Sequence, residues 1–311
     1  STSLGLGAST PSRMGGKNFA FAGARTTGTG GIEGIFIQDV DEQVTSFLAG
    51  PGADPNALYL VFAGANDLVA GVSNLDTPVN RLATDIDRLY NDGARKFLIP
   101  NLPLLGLTPR YNDSAQKQFM NDQAASFNDK LDNKLDSLES IRPDIQFFRF
   151  DIETQFSEII NDPSYFGFAN AMDEAAPGLQ PGASNYNSSQ IVAQPNTYLF
   201  WDDLHPTAAG HALLAEGALR ALLPPGDYNR DWVVDIRDYI LWRDTLGSTT
   251  ALQADADRSR AVDAGDYAVW SANFATSFPG GLATTARVPE PGYAWLIALC
   301  CVLWRSRLNQ C

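Results

Sequence analysis

The chain is poor in histidine, in cysteine and in positive charge. Its 311 residues hold two histidines, three cysteines and 22 Lys+Arg against 36 Asp+Glu, a formal net charge of −14. The cysteines, Cys300, Cys301 and Cys311, all fall within the last twelve residues. The body of the protein therefore carries no disulfide framework and no thiolate chemistry. The acidity excludes a nucleic-acid partner, which calls for a basic face. It suits an exported protein, or one that collects calcium. The opening residues, STSLGLGASTPSRMGG, have neither a charged n-region nor an apolar h-region, so they are not a signal peptide. They read as a loop that continues from earlier sequence.

What is present alternates in period. Residues 57–63 (ALYLVFA), 96–100 (KFLIP) and 145–150 (IQFFRF) are short apolar runs and predict buried strands. Between them, Val79, Leu82, Ile86 and Leu89 predict a helix over 75–92, and Phe119, Phe127, Leu131, Leu135 and Leu138 predict one over 113–140. A further helix is expected over 207–222, with Thr207 as its N-cap. Strand and helix in alternation imply an α/β domain, a parallel sheet with helices on both faces. Ligands then bind beyond the carboxyl ends of the strands. Gly23, Asn66 and His205 each follow a strand-like run and are expected to converge there.

Three separated pieces suggest chemistry: Asn18-Phe19-Ala20-Phe21-Ala22-Gly23-Ala24, Gly64-Ala65-Asn66-Asp67, and Asp202-x-x-His205-Pro206. Imidazole titrates near neutrality, so His205 suits a general base. Asp202, three residues earlier, can accept from the second ring nitrogen and fix the tautomer. A glycine N–H can approach an oxyanion closely because no Cβ intrudes, and an asparagine amide can add a second donor. In this order the pieces resemble the SGNH (GDSL) esterase and lipase family, over about residues 15–222; the segment 99–109, IPNLPLLGLTP, resembles a further family block. The resemblance implies a flavodoxin-like three-layer α/β/α fold and hydrolysis of carboxylic esters through an acyl-enzyme. It assigns Asp202 and His205 to the triad, and Gly23 and Asn66 to the oxyanion hole. His211 is expected to be a structural residue of the last helix, Asp67 to hold its own loop, and Asp203 to be a solvated neighbour of Asp202.

The family's Gly-Asp-Ser-Leu block, which carries the nucleophile, is absent from these 311 residues. Ser1, Ser3, Ser9 and Ser12 stand in no such context. The expectation is that this hydrolase domain, residues 1–224, lacks its first strand and its nucleophile and is inactive as it stands. The competing expectation is a catalytically dead relative that serves as a surface or matrix binding protein.

Past Pro224-Pro225 the sequence repeats itself. Asp227, Asp235, Asp238-Tyr239 and Trp242 recur 28 residues on as Asp255, Asp263, Asp266-Tyr267 and Trp270. Asp227, Asn229, Asp231, Asp235 and Asp238 occupy positions 1, 3, 5, 9 and 12 of a calcium loop, with the Val233 carbonyl at position 7. The second copy offers Asp255, Asp257, Ser259, Asp263 and Asp266, with Ala261 at position 7. The tandem resembles a type I dockerin, a small all-α domain over 225–277 that implies structural calcium and a cohesin-like partner. Trp232 and Arg260 stand at position 6, where a sharp turn prefers glycine.

A linker, 278–287, leads to Val288-Pro289-Glu290-Pro291 and the hydrophobic tail Tyr293–Trp304, twelve apolar residues before Arg305 and Arg307. One spanning helix needs about 20. Residues 288–311 resemble a PEP-CTERM sorting signal, which implies export in a Gram-negative-type bacterium, transient membrane contact, and a final place at the cell surface or in the extracellular matrix. The expected substrates are lipid, small esters or acylated glycans.

Overall fold

The computed structural model describes residues 9–28, 36–178 and 188–277. The linker and sorting-tail expectations, 278–311, lie outside the described residues. The chain divides into two compact units, Ser1–Leu222 and Leu223–Cys311.

In the first unit α1 (Val40–Leu48) is followed by β1 (Leu58–Leu60), α2 (Ala65–Val69), α3 (Asp76–Asp92), β2 (Lys96–Pro100), α4 (Lys117–Ile141), β3 (Gln146–Phe150), α5 (Ile152–Asn161), β4 (Asn170–Glu174), β5 (Tyr198–Phe200) and α6 (Ala208–Leu222). The strands β1-β2-β3 form a parallel sheet in that order, with Tyr59 opposite Phe97 and Phe97 opposite Phe147. A separate parallel pair, β4-β5, shifts register between Asn170 and Glu174. Parallel pairing sends the loops that follow β1, β2 and β3 to one edge of the sheet.

The helices form because their apolar residues recur at helical spacing and their ends are capped. At the start of α1, Asp39 and Glu42 form a capping box, and Asp39 also accepts from the Arg25 N–H at 2.8 Å. Asp151 caps α5 by accepting from the Thr154 N–H. One core collects Val44 of α1, Leu82 and Ile86 of α3, Phe127 and Leu131 of α4, and Phe97 and Ile99 of β2. The other face of the sheet receives α6, where Gly217 lets the ring of Phe150 approach as no larger residue would. The result is a layered α/β domain built on parallel strands. Among the described residues no helix is long and apolar enough to cross a membrane.

Gly64 fixes the turn from β1 into α2. Its φ is +119°, and a Cβ there would lie 2.3 Å from Cζ of Phe127, a ring with no accessible surface. Both the backbone and the neighbour oppose a side chain. Gly64→Ala is expected to cost about 2–4 kcal/mol in urea denaturation, strain and overpacking together.

The second unit has two helices, α7 (Ile236–Thr245) and α8 (Ala264–Asn273). Each opens with an aspartate capping box, Asp235 with Asp238 and Asp263 with Asp266. The halves brace one another reciprocally. Trp242 Nε1 donates to Asp263 O, and Trp270 Nε1 donates to Asp235 O. Val234 exchanges backbone hydrogen bonds with the segment after α8, and Val262 with the segment after α7. Both valines are fully buried.

Candidate active site

Asp202 and His205 lie on the turn between β5 and α6. The carboxylate builds the turn: Oδ1 accepts from the N–H groups of Leu204 at 2.9 Å and His205 at 2.6 Å. The same carboxylate faces the imidazole, with His205 Nδ1 at 2.9 Å from Oδ2 and 3.1 Å from Oδ1. Its side chain is 8% exposed and that of His205 58%. Thr207 then caps α6, accepting from the Gly210 N–H and donating to Tyr198 O.

This geometry holds a proton on Nδ1 and leaves Nε2 as the outward, basic nitrogen. The hydrogen bond to Asp202 raises the His205 pKa above the ordinary imidazole value, while burial opposes it. Burial pushes the Asp202 carboxyl up, but the bonds from the His205 ring and from the two N–H groups outweigh it and hold the group below its usual range. If His205 is the general base, the base limb of the native protein's activity rises with pH through a midpoint above that of free imidazole. Asp202→Asn is expected to move that limb to lower pH and to cut the plateau by roughly 10⁴-fold. The C2-proton NMR titration of His205 checks the first effect without turnover.

The second pair of predicted residues meets at the start of α2. Asn66 Nδ2 donates to Ala24 O at 2.8 Å, fixing the amide against the turn that contains Gly23. Gly23 adopts φ +78° and its backbone is exposed. One amide proton of Asn66 remains to donate elsewhere. Asp67 is fully buried and holds this corner: it accepts from the N–H groups of Thr26 and Thr27 and from the Thr27 hydroxyl at 2.6 Å. So one hydrogen-bonded pair joins Asn66 to the Gly23–Ala24 turn, and another joins Asp202 to His205. His211 is exposed on α6.

One expectation needs correcting. Asp203 is not a solvated neighbour: Arg110 grips it through two side-chain bonds, at 2.8 and 2.9 Å. Sequence reading missed Arg110 because 93 residues separate the partners, and Arg110 stands in no motif.

The profile of the GDSL-like lipase/acylhydrolase family matches residues 3–218, and the paired Asp202 and His205 fall inside that span. The chain belongs to the GDSL-like lipase/acylhydrolase family. Its relatives include a GDSL esterase/lipase of Arabidopsis thaliana, 28% identical over 155 residues, or 46% of this chain and 41% of the relative. A phosphatidylcholine-sterol acyltransferase of Aeromonas hydrophila is 27% identical over 222 residues, 58% of this chain and 65% of the relative. An uncharacterized protein of Pseudomonas putida is 31% identical over 182 residues, 56% of this chain and 30% of the relative. The GDSL chain thus spans less than two thirds of the length of each. At this level the family supports hydrolase or acyl-transfer activity.

In the second unit the two acidic loops differ. Position 6 takes φ +72° at Trp232 and +67° at Arg260, the left-handed conformation glycine favours. In the first loop Arg237 at position 11 bridges Asp231 at 2.8 Å and Asp235 at 2.7 Å. Position 11 of the second loop is Gly265, where a Cβ would lie 2.7 Å from Asp257 Oδ2. There one carboxylate oxygen from each of Asp255, Asp257 and Asp266 lies within 4.8 Å of the others. On the first loop the Asp231 N–H donates to Asn229 Oδ1, and Asp238 accepts from the N–H groups of Tyr228 and Asn229. Val233 donates its N–H to Asp231, and Ser259 donates its hydroxyl to Ala261 O. Burial, then the nearby Asp238, pushes Asp227 up to about 6; burial and its acidic neighbours also push Asp255 up.

Proposed function

We propose that this chain belongs to an exported, multidomain serine esterase, with the hydrolase domain in residues 1–224. The observation that carries the reading is the Asp202–His205 pair at 2.9 Å within the family span. A serine hydroxyl would attack the ester carbonyl as His205 Nε2 takes its proton. The Gly23 N–H and the Asn66 amide would donate to the oxyanion, each such donor contributing about 3–4 kcal/mol to the transition state. His205 then returns the proton to the departing alcohol, and water attacks the acyl-enzyme by the same route. The reading requires a nucleophilic serine that no Gly-Asp-Ser block of residues 1–311 supplies, carried on a strand beside β1. Leu60 at the end of the edge strand β1 and Phe62 just beyond it are exposed apolar side chains, which supports a partner there. Substrates are carboxylic esters: lipids, small esters or acylated glycans.

The paired loops would hold calcium as a structural ion. The mutually close carboxylates of Asp255, Asp257 and Asp266, the first and last of them buried, fit a hard, oxygen-seeking cation. The first-loop ligands would be Asp227, Asn229, Asp231, Val233, Asp235 and Asp238, once Arg237 swings away. Such a tandem would dock a cohesin-like protein, and the tail would make transient membrane contact during export to the surface or matrix.

A second reading, an inactive binding protein on the same fold, is favoured by one fact: no Gly-Asp-Ser occurs in residues 1–311. Labelling the native protein with a serine-reactive phosphonate and mapping the modified peptide separates the two. A labelled serine before Ser1 supports the enzyme. A folded protein without adduct leaves the binder.

A further inference from the structure

The Asp202–His205 turn is gripped from outside by a residue the mechanism above does not use. Arg110 lies in the loop between β2 and α4. Its Nε and Nη2 donate to the two oxygens of Asp203, at 2.8 and 2.9 Å, and its backbone N–H donates to Asp203 O at 2.8 Å. Two parallel bonds from a guanidinium to a carboxylate form a planar fork that fixes direction as well as distance. Both side chains are largely sheltered, Arg110 at 26% and Asp203 at 14% exposure. Asp203 stands between Asp202 and Leu204, so the fork anchors the turn beside the carboxylate that orients His205. The loop that carries Arg110 is itself fastened: Asn112 Nδ2 donates to Met172 O in β4 at 2.6 Å, and the buried Thr108 donates its hydroxyl to Leu105 O.

We propose that Arg110 is a positioning residue: by holding Asp203 it fixes the turn that aims His205, and it neutralises the second carboxylate beside the imidazole. This rests on the reading of His205 as the base. Among the described residues, the charged groups about His205 are Asp202 and Asp203 on its own turn, Arg110 from the loop after β2, and Glu174 at the end of β4 close to both aspartates. Asp203 favours the imidazolium and Arg110 opposes it. Removing one or the other therefore moves His205 in opposite directions. A turn that merely came apart would release His205 from Asp202 and lower its midpoint in both variants.

The test is an NMR titration of the full chain, which has only two histidines; His211, exposed on α6, is the internal reference. Arg110→Gln is expected to raise the His205 midpoint by about 0.5 pH unit, and Asp203→Asn to lower it by a similar amount. The double variant returns near the starting value. A fall or no change in Arg110→Gln overturns the proposal. Should that variant not fold, Arg110→Lys decides. Lysine keeps the charge without the fork, so the midpoint stays while the backbone amide resonances of residues 202–205 shift; unshifted amide resonances overturn the proposal. In the native protein, Arg110→Gln is expected to lower kcat about tenfold with KM little changed. Titration needs no turnover, so a missing esterase activity with the expected midpoints defeats the catalytic reading and leaves the grip on the turn standing.

Discussion

Replacing His205 with alanine in the native protein is expected to abolish ester hydrolysis, with kcat falling by roughly 10⁴–10⁶-fold. The size follows from the role proposed for the residue. Without Nε2 the serine hydroxyl keeps its proton, and the departing alkoxide has no acid to meet it. Asp202 cannot substitute. It is turned inward, accepting from two backbone N–H groups of its own turn, and its pKa lies below the usual carboxylate range. The residual rate would come from oxyanion donors and binding, which are untouched. KM is expected to change little, because the imidazole acts on the transition state rather than on the bound ester. Hydrolysis of a p-nitrophenyl ester by the native protein and the variant checks it. A loss smaller than tenfold would remove His205 from the mechanism. The paired variant Asp202→Asn then tells whether the turn matters at all.

Withdrawing calcium is expected to melt the second unit while leaving the first folded. The unit is small and its core around Tyr228, Ala254 and Val262 is slight. Its loops hold acidic groups that burial and one another's charge push toward protonation. A cation at those oxygens removes the repulsion. Free calcium at about a hundred times its Kd stabilises by about 2.7 kcal/mol, which for a domain this size is a midpoint shift of roughly 10–20 °C. Near-UV circular dichroism follows it, since Trp232, Trp242 and Trp270 are three of the six tryptophans. Identical melting with a chelator and with millimolar calcium would refute a structural ion.

The two ligation states should also respond to pH with opposite sign. Asp227 has a folded pKa of about 6, above its ordinary value of 3.8. In the metal-free unit that group contributes stability fully present below pH 3.8 and lost as pH rises through about 6. Metal-free protein therefore gains stability on acidification over this window. Calcium-loaded protein loses it, because protons compete for the ligands. The second loop is expected to bind more tightly than the first, where Arg237 already bridges Asp231 and Asp235. Asp266→Ala should thus remove more of the calcium response than Asp238→Ala.

The chain's local patterns were legible without a structure. The apolar run at 96–100 became β2, buried along its whole length as a central parallel strand requires, and 145–150 became β3, whose Phe148 and Phe150 are buried while Arg149 is exposed. The Asp202–His205 pair was legible because three residues on one turn suffice to make it, and the repeat because its period is written in aspartates and aromatics. The helices α1 and α5 and the strand β4 were not read. The first two are short, and β4, Asn-Ala-Met-Asp-Glu, has no apolar run and shifts register against β5. What only the tertiary structure decided were the pairings across distance. Asp67 finds Thr26 and Thr27 about 40 residues away, and Arg110 finds Asp203 at 93. A hydrogen bond between remote residues depends on which loops the fold brings to the same edge, and no spacing along the chain encodes that. The same reason separates the two acidic loops, alike in ligand spacing. One side chain at position 11, Arg237 against Gly265, decides in three dimensions which set of carboxylates already has a cation beside it.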